Sequence, residues 1–354
     1  MKNLRWLLLP FSLLYGLVVI IRNWCYDSGF FKSSKFSTPV ISVGNLEVGG
    51  AGKSPMTEYL VRLLKDHHKL ATLSRGYGRK TKGYLTATAT ATVAEIGDEP
   101  AQFKTKFPDV TIAVCEARAK GIRHLIQSHN LIILDDAFQH RAVKPGFSVL
   151  LFDYNKINDP RLLLPAGDMR EPFSSRWRAD MIVVSKCPDD LPGDEQAKVA
   201  ERVEPLPWQS LFLTSISYQP LQDLNGKKIK FTIDADTTVF LLTGIANPEP
   251  LVQYVRKYTN SITHHNYPDH HQFTLENIAK LAAEFEACTA QKKIIITTEK
   301  DAQRLLGHDL SALVQKLPVA VQPIGVQFLN DGEQEFDRIV KEYVREHTTN
   351  HLIH

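Results

Sequence analysis

The segment 39–54, PVISVGNLEVGGAGKS, constrains the fold more than any other. Val40, Ile41 and Val43 are β-branched and suit a buried parallel strand. A turn of Gly49-Gly50-Ala51-Gly52 follows, then Lys53-Ser54-Pro55 and a helically spaced stretch with Leu60, Leu63 and Leu64 on one side. Strand, glycine turn and helix in this order form a phosphate cradle. Glycines let backbone N–H groups close around phosphate oxygens, and the helix N-terminus adds positive potential. The candidate cradle comprises Glu47, Val48, Gly49, Gly50, Ala51, Gly52, Lys53 and Ser54. Lys53 is placed to reach the β/γ phosphates and the Ser54 hydroxyl to ligate Mg²⁺. The loop departs from the strict G-x-x-x-x-G-K-[ST] pattern only in its first position, Glu47.

Ahead of this loop, residues 6–21 read WLLLPFSLLYGLVVII without a charge, between Arg5 and Arg22. At a 1.5 Å rise these residues cover roughly 24 Å, short of the ~30 Å hydrocarbon core. Trp6, Trp24 and Tyr26 suit the interfaces, and Arg22 can snorkel. No small-x-small cleavage site follows, which argues against a signal peptide. Residues 1–36 therefore read as a membrane anchor, either a short span or an obliquely inserted helix.

Charge excludes one class of partner. Lys plus Arg number 42 and Asp plus Glu 39, a net +3 with no basic stripe, too little for a protein that binds nucleic acid through its phosphates. The cysteines, Cys25, Cys115, Cys187 and Cys288, are widely spaced and form no C-x-x-C pair, which favours a reducing compartment.

Further chemistry-bearing segments follow. The apolar run 131–134 leads into Asp135-Asp136, carboxylates at the carboxyl edge of a parallel sheet, where one serves as the Mg²⁺-side acid beside a P-loop. Asp98 stands in GDEP, Arg75 in SRGYGR, Arg118 in EARAKG, and Arg170 and Glu171 in PAGDMREP. Residues 264–273 collect four histidines and an aspartate. Their spacing is not that of a zinc site, so a single histidine paired with a carboxylate is the better reading.

Together these segments resemble the tetraacyldisaccharide 4'-kinases of lipid A biosynthesis, through VGNLEVGGAGKSP, LSRGYGR, GDEP, LDDAFQHR, LLPAGDMREP, the PDHH element and ITTEKDAQRL. The resemblance implies transfer of the ATP γ-phosphoryl group to the 4'-hydroxyl of an acylated glucosamine disaccharide 1-phosphate, giving lipid IVA. It implies that Asp98 is the catalytic carboxylate and His270 its partner, and that Lys53 and Ser54 hold phosphate and Mg²⁺. Asp135, Asp136 and Glu171 match acids around metal and nucleotide, and Arg75, Arg118 and Arg170 match arginines around the substrate. It also implies work at the inner membrane, with residues 37–354 on the cytoplasmic face where ATP is found.

The expected architecture is α/β. A P-loop NTPase-like domain with a mainly parallel sheet occupies 37–230, and a smaller α/β domain with a C-terminal helix occupies 231–354. Two competing readings remain: a membrane-associated P-loop ATPase switch, whose loop carries a second lysine absent here, and a nucleotide-dependent scaffold, which has no use for Asp98 or PDHH.

Overall fold

Runs of aliphatic residues without polar alternation form parallel strands buried on both faces, and such runs recur along this chain. The computed structural model describes residues 2–350. A 3₁₀ turn (Lys2–Leu8) leads into helix α1 (Leu9–Asp27). Strand β1 (Val40–Asn45) then enters the core, and helix α2 (Lys53–Leu64) leaves the glycine turn. There follow β2 (Leu70–Ser74), the short edge strand β3 (Leu85–Thr86), α3 (Val93–Ile96), α4 (Asp98–Lys106), β4 (Thr111–Val114) and α5 (Arg118–Leu125). Next come β5 (Leu131–Leu134), β6 (Phe147–Asp153), β7 (Met181–Ser185), α6 (Gly193–Val203) and β8 (Ser210–Tyr218).

A second series comprises β9 (Thr238–Thr243), α7 (Glu249–Arg256), β10 (Ile262–Asn266), α8 (Leu275–Ala287), β11 (Lys293–Thr298), α9 (Glu299–Leu305), α10 (His308–Val314) and β12 (Val319–Gln322). The chain ends on β13 (Ile324–Phe328) and α11 (Gly332–Asn350). Among the described residues, the larger sheet has nine strands in the order β13-β8-β7-β6-β1-β5-β2-β4-β3, and the smaller has four, β10-β9-β11-β12. All pairs are parallel except the two edges of the larger sheet, β3–β4 and β13–β8. β1 lies between β5 and β6, so the glycine turn and the Asp135-Asp136 pair leave neighbouring strands at one edge.

The expected second domain is corrected at both ends. It begins before residue 231: Gln222 exchanges backbone hydrogen bonds with Val321, and Leu221, Ile229 and Ile233 pack into the smaller sheet's core. It also closes at β12, because β13 returns to pair with β8. Helix α11 goes with it, placing Phe336, Val340 and Val344 in the core of the larger sheet beside Ile41, Met56 and Phe212. Spacing at i, i+4, i+8 makes α11 amphipathic, but nothing local says which sheet its stripe will cover.

Helix α1, together with the 3₁₀ turn that leads into it, is bound along its whole length. Arg5 pairs with Asp168 at 2.8 Å, and Ser12 Oγ accepts the Ala166 N–H at 2.8 Å. Tyr15 donates to the Arg170 carbonyl at 2.9 Å, and Asp27 pairs with Arg141 at 2.5 Å. A Cβ on Gly16 would lie 2.7 Å from Leu163 Cδ1, so the helix approaches the body closely there. Its outer face is bare: Leu7, Phe11 and Leu13 are 72%, 63% and 75% exposed.

Candidate active site

At the end of β1 the chain turns through Gly49 (φ 105°) to Gly52 (φ 76°), which caps α2 in the left-handed region. A side chain at Gly52 would be strained by that φ and would crowd Ser185 Oγ at 3.2 Å. The Ser185 hydroxyl instead donates to the Ala51 carbonyl at 3.0 Å, tying the turn to β7. Lys53 Nζ donates to Asn45 Oδ1 at 3.1 Å and lies 3.7 Å from Asp136 Oδ1. Ser54 stands beside it in the first turn of α2. Burial lowers the Lys53 pKa against the opposing charge of Asp136.

Asp136 is bracketed by Lys53 and by Arg170, whose Nη1 lies 3.3 Å from both carboxylate oxygens. Burial works against its charge, but the two cations outweigh it and hold the carboxyl below its ordinary range. Asp135 has no such support. It accepts the Thr57 hydroxyl at 2.9 Å and makes no ion pair among the described residues; burial, with the charges of Asp136 and Glu99, pushes it up to about 7. Two adjacent carboxylates, one without a counter-charge, beside a serine hydroxyl are the hard oxygen donors that Mg²⁺ takes.

Arg118 opens α5 and is almost fully buried, yet among the described residues its guanidinium meets only the carbonyls of Cys115 and Glu116. Its Nε and Asn45 Nδ2 are buried donors without a protein acceptor, which fits a site built for an anion. Burial and the nearby charge of Arg75 lower Arg118 to about 10, and burial with Arg118, Arg75 and Arg22 pushes His140 down to about 4. Arg75 itself is exposed.

Asp98 begins α4 after Gly97, and its Oδ2 lies 2.9 Å from His270 Nδ1, on the loop after β10. The same carboxylate accepts from Arg304 of α9, Nε to Oδ1 at 3.2 Å and Nη2 to Oδ2 at 2.5 Å. Burial opposes ionisation of Asp98, but Arg304 and His270 overcome it and lower the pKa. Glu99 follows directly, and its charge acts on both Lys53 and Asp135. Arg304 was not among the residues singled out from sequence. The signal lay in ITTEKDAQRL, where Asp301 and Arg304 share a helix face at i, i+3.

Three expected site residues sit elsewhere. Glu171 is fully buried under α1, paired with Arg178 at 2.5 Å and accepting from Asn23 at 3.1 Å, so it joins the helix contact and not the acids beside Lys53. Glu47 and Val48 bond through their backbones to the 163–170 loop, and the Glu47 side chain lines a small cleft with Phe152, Lys156 and Phe173. The histidines of 264–271 take four different partners: Thr243, Glu284, Asp98 and Asn277.

What such a sheet edge can do is move a phosphoryl group from a nucleotide to a hydroxyl, so the class is a P-loop kinase. Within that class, residues 4–345 match the LpxK family, tetraacyldisaccharide-1-P 4'-kinase, and the chain belongs to that family. It is 41% identical over 360 residues to the tetraacyldisaccharide 4'-kinase of Bacteroides thetaiotaomicron, covering 98% of this chain and 94% of that one. To the enzyme of the same name from Phocaeicola vulgatus it is 43% identical over 355 residues, covering 98% and 96%. The crystal structure of LpxK from Aquifex aeolicus in complex with ATP superposes with a TM-score of 0.75 at 29% identity, covering 96% of this chain and 99% of that one.

Proposed function

We propose that this chain transfers the γ-phosphoryl group of ATP to the 4'-hydroxyl of a tetraacyl glucosamine disaccharide 1-phosphate at the cytoplasmic face of the inner membrane. The observation that carries the reading is the Asp98–His270 pair, a hydroxyl-orienting group whose chain neighbour Glu99 acts by its charge on Lys53 of the phosphate cradle. Phosphoryl transfer through a loose transition state needs alignment and positive charge more than a strong base. Asp98 orients the attacking hydroxyl and takes its proton, and His270 holds the carboxylate in place. Lys53 and the turn amides grip the triphosphate. Arg118, charged and without an acid partner among the described residues, suits phosphate oxygens, and Arg75 and Arg170 extend that positive field. Mg²⁺ would be held by Ser54, Asp135 and Asp136, where it supplies positive charge to the phosphates.

The bare face of α1 supports the location. Each large apolar side chain immersed in lipid contributes roughly 1.5–3 kcal/mol. Because α1 is bonded to the body from Arg5 to Asp27, it fits a helix lying along the interface with its outer face in lipid better than a perpendicular span. An acceptor carrying four acyl chains then need not leave the bilayer.

The test incubates purified protein with ATP, Mg²⁺ and the tetraacyl disaccharide 1-phosphate. A lipid bearing a second phosphate is expected from wild type and not from Asp98→Asn. ATP hydrolysis with no phosphorylated lipid would reject the reading.

A further inference from the structure

Resting on that reading of Asp98 and His270, we propose that Arg304 is the positioning residue of the pair: it fixes the Asp98 carboxylate beneath His270 and clasps the smaller sheet onto the larger. Its side chain is fully buried, and its fork is spent on four acceptors in two domains. Nε and Nη2 take the two oxygens of Asp98. Nη1 takes Asp301 Oδ1 and the Gly244 carbonyl, each at 2.8 Å. Only an arginine presents a planar set of donors that can do this at once.

The anchor behind the fork is itself built. Thr298 caps α9, accepting the Asp301 N–H and donating its hydroxyl to Asp301 Oδ2 at 2.8 Å. Asp301 also accepts the Gly244 N–H at 2.9 Å. The Gly244 carbonyl, besides receiving Arg304, accepts the His270 N–H at 3.1 Å. Arg304 therefore holds one member of the pair directly and shares with the other a single carbonyl. His270 needs that support, since it sits at φ 59°, a left-handed conformation that a histidine keeps only when its surroundings impose it.

Charge follows the same plan. Asp98 faces Arg304, His270 and Lys300, with Asp301, Glu99 and Asp269 as the nearby acids. Arg304 Nη2 lies 3.3 Å from His270 Nδ1, so that nitrogen, as donor to an ionised Asp98, is the arrangement that satisfies all three groups. Flanking pairs run along the same helix contact. Lys300 meets Glu99 at 2.6 Å, Thr105 donates to Gln303 at 3.1 Å, and Lys106 bridges Glu58 and Glu299.

The experiment compares Arg304→Lys and Arg304→Gln with wild type in the full chain, using ATP and the lipid acceptor, with nucleotide binding as the control for folding. Both variants are expected to lose about 10²-fold or more in kcat, as for a misaligned acid–base group, with KM for ATP within about threefold. Arg304→Lys keeps the buried charge but not the fork, so a fully active Lys variant overturns the proposal. In Arg304→Gln the acidic limb of kcat/KM is expected to move to higher pH, because Asp98 loses its counter-charge; an unmoved limb also overturns it. Combined with Asp98→Asn, either change is expected to add little, whereas multiplied losses would mean that Arg304 acts elsewhere. Full turnover by Asp98→Asn alone would instead remove the Asp98–His270 reading on which the proposal stands.

Discussion

Asp98 and His270 stand 172 positions apart in the chain and 2.9 Å apart in space, joined across two sheets. Removing either side should separate chemistry from binding. Asp98→Asn and His270→Ala are each expected to lower kcat by about 10²–10⁴-fold. ATP affinity, which depends on the Lys53 turn, should stay near wild type in both. Steady-state kinetics alongside equilibrium nucleotide binding measures the split.

The residue before Asp98 is equally constrained. Gly97 has φ 94°, and a Cβ there would lie 2.8 Å from the Tyr77 carbonyl. Gly97→Ala must either strain the backbone or displace the start of α4. Loss of about 1–3 kcal/mol of stability is expected, together with a fall in kcat. Urea denaturation and turnover are the two readouts.

Arg118 is a buried charge that makes no ion pair among the described residues, as the proposed phosphate-binding role requires. Arg118→Met retains volume and removes the charge. The variant is expected to match or exceed wild type in thermal midpoint while losing most of its kinase activity. Calorimetry with and without nucleotide checks this.

Lys106 bridges two buried carboxylates, Glu58 and Glu299, and Glu58 also meets Arg62 at 3.3 Å while Glu299 has no second cation among the described residues. Burial, opposed by Lys106 and aided by Glu58, pushes Glu299 up from 4.5 to about 7. The folded chain thus takes up a proton at Glu299 before the unfolded one does. Its contribution to stability is full below about 4.5 and is lost as pH rises through about 7. Glu299→Gln should flatten that part of the stability profile and be at least as stable as wild type at alkaline pH. Lys106→Met, which strands Glu299 and leaves Glu58 only Arg62 and Gln102, should lose about 3–5 kcal/mol there. Urea midpoints measured from pH 5 to 8 decide.

The two faces of α1 should respond differently. Leu13→Glu with Leu17→Glu, both on the bare side, is expected to reduce binding to phospholipid vesicles by about 100-fold or more. Ser12→Ala, on the inner side, should leave vesicle binding unchanged. Co-sedimentation distinguishes them.

What sequence alone determined here is what short-range order can encode. The cradle is a strand, a turn and a helix in direct succession, so residues 39–54 announce it without any partner. The Asp135-Asp136 edge and the apolar run of α1 are legible for the same reason: each is one contiguous element with one periodicity. Asp98 and His270 became a pair in the sequence only through likeness to a known family, because nothing local joins positions 172 residues apart. Tertiary structure alone decided the rest. Arg304 acquires a role only when α9 packs against α4, and Glu171 meets Arg178 and Asn23 only because α1 closes over it. β13 and α11 return to the larger sheet, where β8 offers an edge to pair and Ile41, Met56 and Phe212 an apolar face to cover. An amphipathic stripe tells a chain to bury itself, and only the assembled surfaces determine where.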